Sequence, residues 1–218
     1  TVDANGKVTI KGVGTATITI TAEGTEQAQP ATRTVKVTVK QGTQTITVGA
    51  SSYTKTLGAS AFSLNAKAGG KLTYKSSNTK VATVSSAGKV TVKGVGKATI
   101  TVTAAATTNY KKATKTVTVT VNPTGTKLSS VKNTSSKKMT VKWSKNSKVT
   151  GYQIQYSTSS KFTSAKTVTV KSYKTTSKTI SKLTKKKKYY VRIRTYKTVS
   201  GKTYYSSWSG AKSVTIKK

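Results

Sequence analysis

Valine and isoleucine alternate with threonine over long stretches of this 218-residue chain. Residues 90–92, 100–102 and 117–121 each place apolar and hydroxylated side chains at successive positions. Successive side chains of a β-strand point to opposite faces, so this period of two gives each strand one apolar and one polar face. The alternation predicts an all-β protein in which antiparallel sheets bury one face and expose the other.

A sequence repeat with an offset of 82 residues organises the first half of the chain. Residues 1–40 align with residues 83–122, and 24 of the 40 positions are identical. The segment TVDANGKVTIKGVGTATITITAEGT lies over TVSSAGKVTVKGVGKATITVTAAAT in this alignment. One complete repeat therefore spans residues 41–122, and residues 1–40 are the second half of another copy.

The complete repeat contains several short segments that predict strands, separated by turns. Gly88 and the Gly94-Val95-Gly96 step supply turn positions where a positive φ costs glycine little. Many short strands with frequent turns are typical of an antiparallel sandwich. The predicted strands are residues 43–49, 61–68, 71–78, 81–85, 88–94, 97–105 and 113–121.

The run SSNTKVATVSSAGKVTVKGVGKATITVTA, residues 76–104, resembles the group-2 bacterial immunoglobulin-like domain. That family has the pattern S-x-(N/D)-x-x-V-A-T-V-x-x-x-G-x-V-T, followed by G-x-A-x-I-T-x-x-A. The resemblance implies a complete immunoglobulin-like domain over residues 41–122 and the C-terminal half of one over residues 1–40. Such domains are general building blocks of surface proteins and secreted enzymes, so the resemblance indicates a fold rather than an activity.

A different pattern begins after residues 122–125, where Asn-Pro-Thr-Gly interrupts the alternation. The combination of strands that follows resembles a fibronectin type III domain over residues 123–218. Trp143 takes the place of that family's core tryptophan, and Tyr152 and Tyr156 lie on the following strand. The predicted strands are residues 139–145, 151–157, 166–172, 178–183, 189–196 and 211–218. We therefore expect tandem antiparallel β-sandwiches, immunoglobulin-like and then fibronectin type III-like.

The fibronectin-like segment keeps one further spacing of the family and departs from another. Leu183 precedes Tyr189 by six residues, which is the family's spacing for the tyrosine-corner residue. Where a proline often lies between these positions, this chain has Lys185–Lys188, and we expect a looser loop there. No RGD tripeptide occurs, so the resemblance implies no animal-type adhesion function.

The composition excludes most classes of catalytic mechanism. Histidine and cysteine are missing, and Asp3, Glu23 and Glu26 are the only acidic residues. Without imidazole or thiolate, the chain has no histidine base and no soft metal site. Residues 41–218 contain no carboxylate side chain, so neither a paired-carboxylate mechanism nor a calcium site can form there. We expect no enzymatic activity, no metal and no cofactor.

Positive charge increases along the chain. Residues 1–40 carry 5 cations and 3 anions (+2), residues 41–122 carry +11, and residues 123–218 carry +24, which together give +37. A surface of one sign recruits polyanions, whereas a solvated face usually mixes both signs. We expect association with an anionic polymer, with a surface that serves only solubility as the alternative.

The type of cation restricts the class of polymer. Of the 40 cations, only Arg33, Arg192 and Arg194 are arginine. Lysine acts as a point charge, which suits adhesion to a polymer backbone better than readout of bases, so we expect only non-specific binding to nucleic acid. The combination of the two domain types resembles Gram-positive secreted or surface proteins. This resemblance implies teichoic acid as the partner, with mucin or another acidic glycan and extracellular DNA as the rivals.

Two groups of residues in the last domain are candidates for binding. The candidate polyanion-binding residues are Lys185, Lys186, Lys187, Lys188, Arg192 and Arg194. The aromatic residues predicted to face outward are Tyr190, Tyr196, Tyr204, Tyr205 and Trp208. Because Arg192 and Arg194 share the outer face of one strand, we expect Trp208 to lie over them in a surface cation–π ladder. A platform on which sugar rings stack is the alternative interpretation.

The first 40 residues present half of a sandwich. The residues that would cover their apolar face are the equivalents of residues 41–82. These equivalents are missing from the sequence. Two explanations remain open: the chain continues upstream, or another chain supplies the missing strands by donor-strand pairing. Thr1 is not an initiator methionine, and we expect the natural start and further domains to lie upstream. The apolar residues of this face are Val8, Ile10, Ile18, Ile20, Val35, Val37 and Val39.

These features together predict a non-catalytic stalk or tether of a bacterial cell-surface or secreted protein, located outside the cell. No apolar run is long enough to cross a membrane, so no membrane insertion is expected. The first alternative is an accessory region of a secreted hydrolase that acts on glycans or peptidoglycan and has its catalytic domain upstream. The second is a subunit of a surface filament.

Overall fold

The protein is described by a computed structural model that covers residues 1–217. Every helix or strand found in that range is a β-strand, in agreement with the predicted all-β class. The strands fall into three successive groups, which lie within residues 1–40, 41–122 and 123–217. Each group forms its own sheets, and the second and third groups each enclose an apolar core.

The first group is a single antiparallel hairpin, formed by β1 (Gly14–Ala22) and β2 (Ala31–Val39). We call this pair the N-terminal hairpin. The residues before it form only one isolated bridge, between Val2 and Val8. Much of its apolar face is in contact with solvent, because no second sheet packs on it in the part of the chain that is described.

The second group is a sandwich of two sheets over residues 41–122. One sheet has the order β3-β9-β8-β5 and the other has the order β4-β7-β6. The strands are β3 (Ser52–Thr56), β4 (Phe62–Ser63), β5 (Leu72–Ser76), β6 (Ala82–Val84), β7 (Lys89–Val92), β8 (Gly96–Ala104) and β9 (Ala113–Asn122). Alternate residues of β8 and β9 are fully buried between the sheets, as their valine–threonine alternation predicts.

The predicted first strand of this repeat, residues 43–49, is wrong. The segment makes one isolated bridge, from Thr47 to Lys67, and β3 begins only at Ser52. The backbone at Gly42 pairs with residues 109 and 111, whereas Gly49 donates to the Leu64 carbonyl. Because its two ends pair with different parts of the sandwich, the segment crosses between sheets and cannot extend a ladder. β3 then pairs parallel to β9, which departs from a purely antiparallel sandwich.

The third group is a sandwich over residues 123–217. One sheet has the order β10-β11-β14; the other has the order β13-β12-β15-β16, with β17 also paired to β15. The strands are β10 (Leu128–Ser135), β11 (Lys138–Trp143), β12 (Gly151–Ser157), β13 (Lys166–Val170), β14 (Ser177–Ile180), β15 (Lys188–Val199), β16 (Lys202–Tyr205) and β17 (Lys212–Thr215). The sequence did not predict β10 or β16, because LSSVKNTS and KTYY are too short or too polar to show alternation.

The aromatic core of this sandwich agrees with the positions that the resemblance implied. Trp143 and Tyr152 are buried with their rings 5.3 Å apart in an edge-to-face arrangement, and Tyr156 is half-buried against the same core. Tyr189 is buried, and the Thr184 amide donates a 3.1 Å hydrogen bond to its hydroxyl oxygen. This is the hydrogen bond of a tyrosine corner, which fixes the end of the sandwich where β15 begins.

The connection between the second and third groups is held by hydrogen bonds. The Thr124 carbonyl accepts bonds from the buried Thr195 hydroxyl at 2.7 Å and from Asn146 Nδ2 at 3.1 Å. On the other side of Pro123, the Asn122 carbonyl accepts a 2.8 Å bond from the Leu57 amide. The linker is therefore short and fixed on both sides, so it restricts the swing of one sandwich against the other.

Candidate anion-binding surface

Strand pairing in the last sandwich sets up a row of polar side chains on its outer face. Arg194 lies opposite Gln153, and Arg192 lies opposite Gln155, across β15 and β12. Arg194 Nε and Nη2 both donate to Gln153 Oε1, at 2.9 and 2.7 Å, and Arg192 Nε donates to Gln155 Oε1 at 2.7 Å. Both arginines therefore have fixed partners within the domain.

Aromatic rings stack on the same two guanidinium groups. The Arg192 guanidinium carbon lies 4.1 Å from the Phe162 ring centre and 4.8 Å from that of Trp208. The Arg194 carbon lies 4.4 Å from the Trp208 ring centre and 4.0 Å from that of Tyr205. The order of layers is Phe162, Arg192, Trp208, Arg194, Tyr205, and we call this set the arginine–aromatic ladder. The predicted placement of Trp208 over both arginines is confirmed.

The ladder stabilises the fold through its stacked contacts. Each exposed cation–π contact contributes about 0.5–1 kcal/mol. Burial has the largest effect on the pKa of Arg194 and lowers it; Tyr205 opposes this shift and the charge of Arg192 reinforces it. Because the flat faces of both guanidinium groups are covered by rings, a ligand reaches only the donors that remain at their edges.

Two of the five residues predicted to face outward are in fact buried. Tyr196 is 8% exposed and Tyr204 is 9% exposed, so neither offers a free ring face to a sugar. Tyr196 lies against Gly151, where a side chain as small as a methyl group would meet its ring at 3.0 Å, and its ring centre lies 6.3 Å from that of Tyr205. Burial also raises the pKa of the Tyr196 hydroxyl, and Tyr205 adds to the shift.

Tyr204 is buried because it points to the opposite side of β16 from Tyr205, as successive residues of a strand do. β16 also lies close to β9 of the preceding sandwich. Of the predicted outward residues, Tyr190, Tyr205 and Trp208 remain half-exposed. The glycan-stacking set is thus smaller than the sequence predicted.

The four consecutive lysines, residues 185–188, lie at the end of the sandwich far from the ladder. Three of them belong to the segment between β14 and β15, residues 181–187, which we call the lysine loop. Lys188 is the first residue of β15, and its ammonium lies 5.4 Å from the Tyr190 ring centre. At about 3.3 Å per residue, Arg192 lies about 13 Å and Arg194 about 20 Å further along the strand. The predicted polyanion-binding residues therefore do not form one cluster, because the strand separates the arginines from the lysine loop.

Backbone hydrogen bonds bring other lysines to the lysine loop. The Lys137 carbonyl, at the tip of the β10–β11 hairpin, accepts a 3.0 Å bond from the Leu183 amide. The Ile216 carbonyl accepts a 2.8 Å bond from the Lys186 amide, and the Ile216 amide donates to the Lys187 carbonyl at 3.0 Å. We call the exposed lysines that lie outside the strands in these three segments the lysine pole: Lys137, Lys182, Lys185, Lys186, Lys187 and Lys217. These bonds tie the loop to the two neighbouring segments, and its predicted looseness stays a prediction.

Sequence reasoning missed some members of both groups. Gln153 and Gln155 alternate with apolar residues in GYQIQYS, and pairing that strand with the one that holds the arginines would have predicted them. No pattern marked Phe162 or Lys137, which lie in a loop and at a hairpin tip. Their positions depend on how separate parts of the chain fold together.

Neither a metal-binding cluster nor a membrane-spanning helix is found among residues 1–217. No group of three or more metal-ligating side chains occurs there. No helix in the described range is long and apolar enough to cross a membrane.

Family models match most of the chain. The family described as "Intimin, immunoglobulin-like domain" matches residues 1–24 and 59–106. The family described as "Fibronectin type III domain" matches residues 121–211. The chain therefore places immunoglobulin-like sequence before a fibronectin type III domain. This confirms the architecture that the two sequence resemblances implied.

Solved structures of tandem domains align with most of the chain at low identity. The crystal structure of chicken CNTN1 FN1-FN3 domains is 16% identical with a TM-score of 0.40, over 91% of this chain and 76% of that one. The crystal structure of titin domains A168-A170 is 14% identical with a TM-score of 0.38, over 94% and 75%. No curated protein sequence matches the chain.

The two matched families indicate a general role. Immunoglobulin-like domains of the intimin type and fibronectin type III domains are typical of extracellular or surface proteins. Such domains are typically non-catalytic and serve as stalks or tethers.

Proposed function

We propose that this chain is the stalk of a bacterial surface or secreted protein, and that its fibronectin type III domain associates with anionic polymers. The polymers of this class are cell-wall teichoic acid and acidic glycans. The observation that carries the proposal is the charge of residues 123–218, which is +24 without a single carboxylate side chain. Extracellular location follows from the same proposal.

The charge has no counterpart within the domain. Two unit charges about 10 Å apart repel by roughly 0.4 kcal/mol in water, and salt screens them further, so the fold tolerates the excess. The lysines of the lysine pole are exposed, and contact with a polymer would not require them to leave water completely. Their counterions must therefore come from outside the protein, and a polyanion supplies many at once.

The serial arrangement of the domains supports the stalk. The Thr124 carbonyl is held from two sides, and the Asn122 carbonyl is held by the preceding sandwich. A linker fixed in this way keeps the basic domain at a defined end of the chain. This geometry would hold an upstream domain away from the surface on which the basic end rests.

Binding of the full chain to immobilised teichoic acid, heparin and mucin across a salt series tests the proposal. We expect the logarithm of the affinity to fall linearly with the logarithm of the salt concentration, because each ionic contact releases a counterion. Binding that does not weaken in high salt, or no binding in dilute buffer, would contradict the proposal.

The variant Trp208→Ala separates ionic binding from stacking on sugar rings. We expect it to lower the melting temperature, because two cation–π contacts are lost, and to leave the affinity for heparin and teichoic acid within twofold. If binding to a neutral or acidic glycan disappears while the melting temperature holds, the aromatic face is the binding surface instead.

A further inference from the structure

The lysine pole consists of three segments that are distant in sequence and are held together by main-chain bonds. The tip of the β10–β11 hairpin bonds to the lysine loop through Lys137 and Leu183, and the loop bonds to the end of the chain through Ile216. In addition, the Lys217 amide donates a 3.0 Å bond to Asn133 Oδ1. The backbone positions of these lysines are therefore set by the hydrogen bonds of the sandwich.

The backbone conformation at this end is unfavourable for lysine. Lys137, Lys182 and Lys186 have φ values of 56°, 60° and 60°, in the left-handed region. A residue with a Cβ atom pays roughly 1–2 kcal/mol there, whereas glycine pays little and asparagine is tolerated. Three of the seven non-glycine residues with positive φ in the described chain are lysines of this one pole.

The conflict between conformation and residue type points to a requirement for charge. Backbone strain that persists where a cheaper residue would fit is typical of functional positions. Gly201 occupies a comparable left-handed turn elsewhere in the chain with open space around it, so this protein uses glycine in such a turn even where a side chain would fit. At the lysine pole, the three residues with a left-handed backbone are all lysines: Lys137, Lys182 and Lys186.

The lysine pole also contains a shallow surface depression. Lys137, Lys182 and Lys185 line a shallow depression, with Leu183 and Thr184 between them. No carboxylate side chain exists in residues 41–218 to compete for these ammonium groups. The arginines of the ladder, in contrast, are hydrogen-bonded to glutamines and covered by rings.

We infer that the lysine pole is the contact site for the anionic polymer, and that the polymer meets the domain end-on rather than along its sheets. The inference rests on the proposed function and names its site. The ligand class is a linear polymer with closely spaced anionic groups, because clustered point charges gain most from dense charge. Polymers with widely spaced carboxylates bind more weakly at the same site.

The test compares two variants of the full chain that each lose four positive charges. The pole variant carries Lys137→Asn, Lys182→Asn, Lys186→Asn and Lys185→Gln, and asparagine is chosen because it tolerates the left-handed conformation. The control variant carries Lys145→Gln, Lys148→Gln, Lys171→Gln and Lys174→Gln, all of which are exposed. Inorganic polyphosphate and heparin serve as dense probes, and hyaluronan serves as the sparse one.

We expect the pole variant to bind polyphosphate and heparin at least tenfold more weakly at physiological salt, with an unchanged or higher melting temperature. Its salt slope should fall by about 3, since each lost contact removes about 0.7. The control variant should lose less than threefold and keep its slope within about 1, because it changes only the overall field. Hyaluronan should bind the unmodified chain more weakly than heparin.

The outcomes test the lysine pole and the proposed function separately. Equal weakening by both variants, or binding by the pole variant that equals the unmodified chain, rejects the pole while the proposed function stands. An unmodified chain that binds none of the probes rejects the proposed function and the pole together.

Discussion

The N-terminal hairpin and the pair β8–β9 have the same strand pairing, but only β8 and β9 are covered by the other half of a sandwich. The register of β1 and β2, from Gly14 opposite Val39 onward, repeats in β8 and β9, from Gly96 opposite Val121 onward. The side chains differ in exposure: Val8 is 44% exposed and Val35 is 47% exposed, whereas their counterparts Val90 and Val117 are fully buried.

The comparison separates strand pairing from core formation. Pairing of β1 with β2 depends on contacts within residues 14–39, which both copies contain. Burial depends on residues 41–82, which supply Ile46, Leu64 and the strand β4 to the complete copy. Without an equivalent of β4, the sheet β4-β7-β6 is reduced to the single bridge between Val2 and Val8. A hairpin of two strands with one uncovered face is only marginally stable in water.

The largest expected effect comes from supplying the missing half. A chain with a second copy of residues 41–82 placed before Thr1 should form a complete first sandwich. Amide exchange in β1 and β2 should then slow by about 10³-fold or more, because the hairpin gains the global stability of a domain.

The matched control for that extension replaces the counterparts of Ile46 and Leu64 in the added copy with serine and asparagine. This extension should leave the exchange in β1 and β2 fast, since it has the same length without the core residues. If β1 and β2 already exchange as slowly as β8 and β9 in the present chain, the hairpin has another cover and the comparison fails.

A smaller effect is expected from a pair of identical substitutions in the two copies. Val117→Ala removes two buried methyl groups and should cost about 2 kcal/mol, seen as a lower denaturation midpoint of the immunoglobulin-like domain. Val35→Ala, at the aligned and half-exposed position, should lower the free energy of unfolding by less than about 0.5 kcal/mol. Equal losses at both positions would mean that the two faces are covered alike.

The smallest effect is expected from removing residues 1–40. The remaining sandwiches have their own cores, so their melting temperature should change by less than about 2 °C. Binding of an apolar dye should fall at the same time, because Ile10 and Ile20 are among the most exposed apolar residues of the chain. A decrease of several degrees would show that the hairpin packs on its neighbours.

The sequence predicted much of the fold because local patterns encode it. The alternation in residues 97–105 and 113–121 predicted β8 and β9, and the spacing of Leu183 and Tyr189 implied a corner that the structure contains. It failed at residues 43–49, where alternating residues do not form a ladder. Alternation predicts which side chains of a strand would be buried and which exposed. It does not predict whether a partner strand lies alongside.

The candidate sites were predicted less completely. The stacking of Trp208 on Arg192 and Arg194 could be predicted because all three lie on or near strands of known direction. The burial of Tyr196 and Tyr204 could not, since it depends on which parts of the fold pack against each ring, such as Gly151 against Tyr196.

The sequence by itself determined the all-β class, the order of the domains and the unopposed charge, because each of these depends on residue type and periodicity alone. Only the tertiary structure decided which cations lie together. Lys137 and Lys182 are 45 residues apart in sequence, and they meet because a hairpin tip and a loop bond at the same end of a sandwich. Arg192 lies only four residues from Lys188, yet a rigid strand keeps it away from that end. Chain distance and spatial distance differ here because extended strands separate near neighbours while sheet packing joins remote ones.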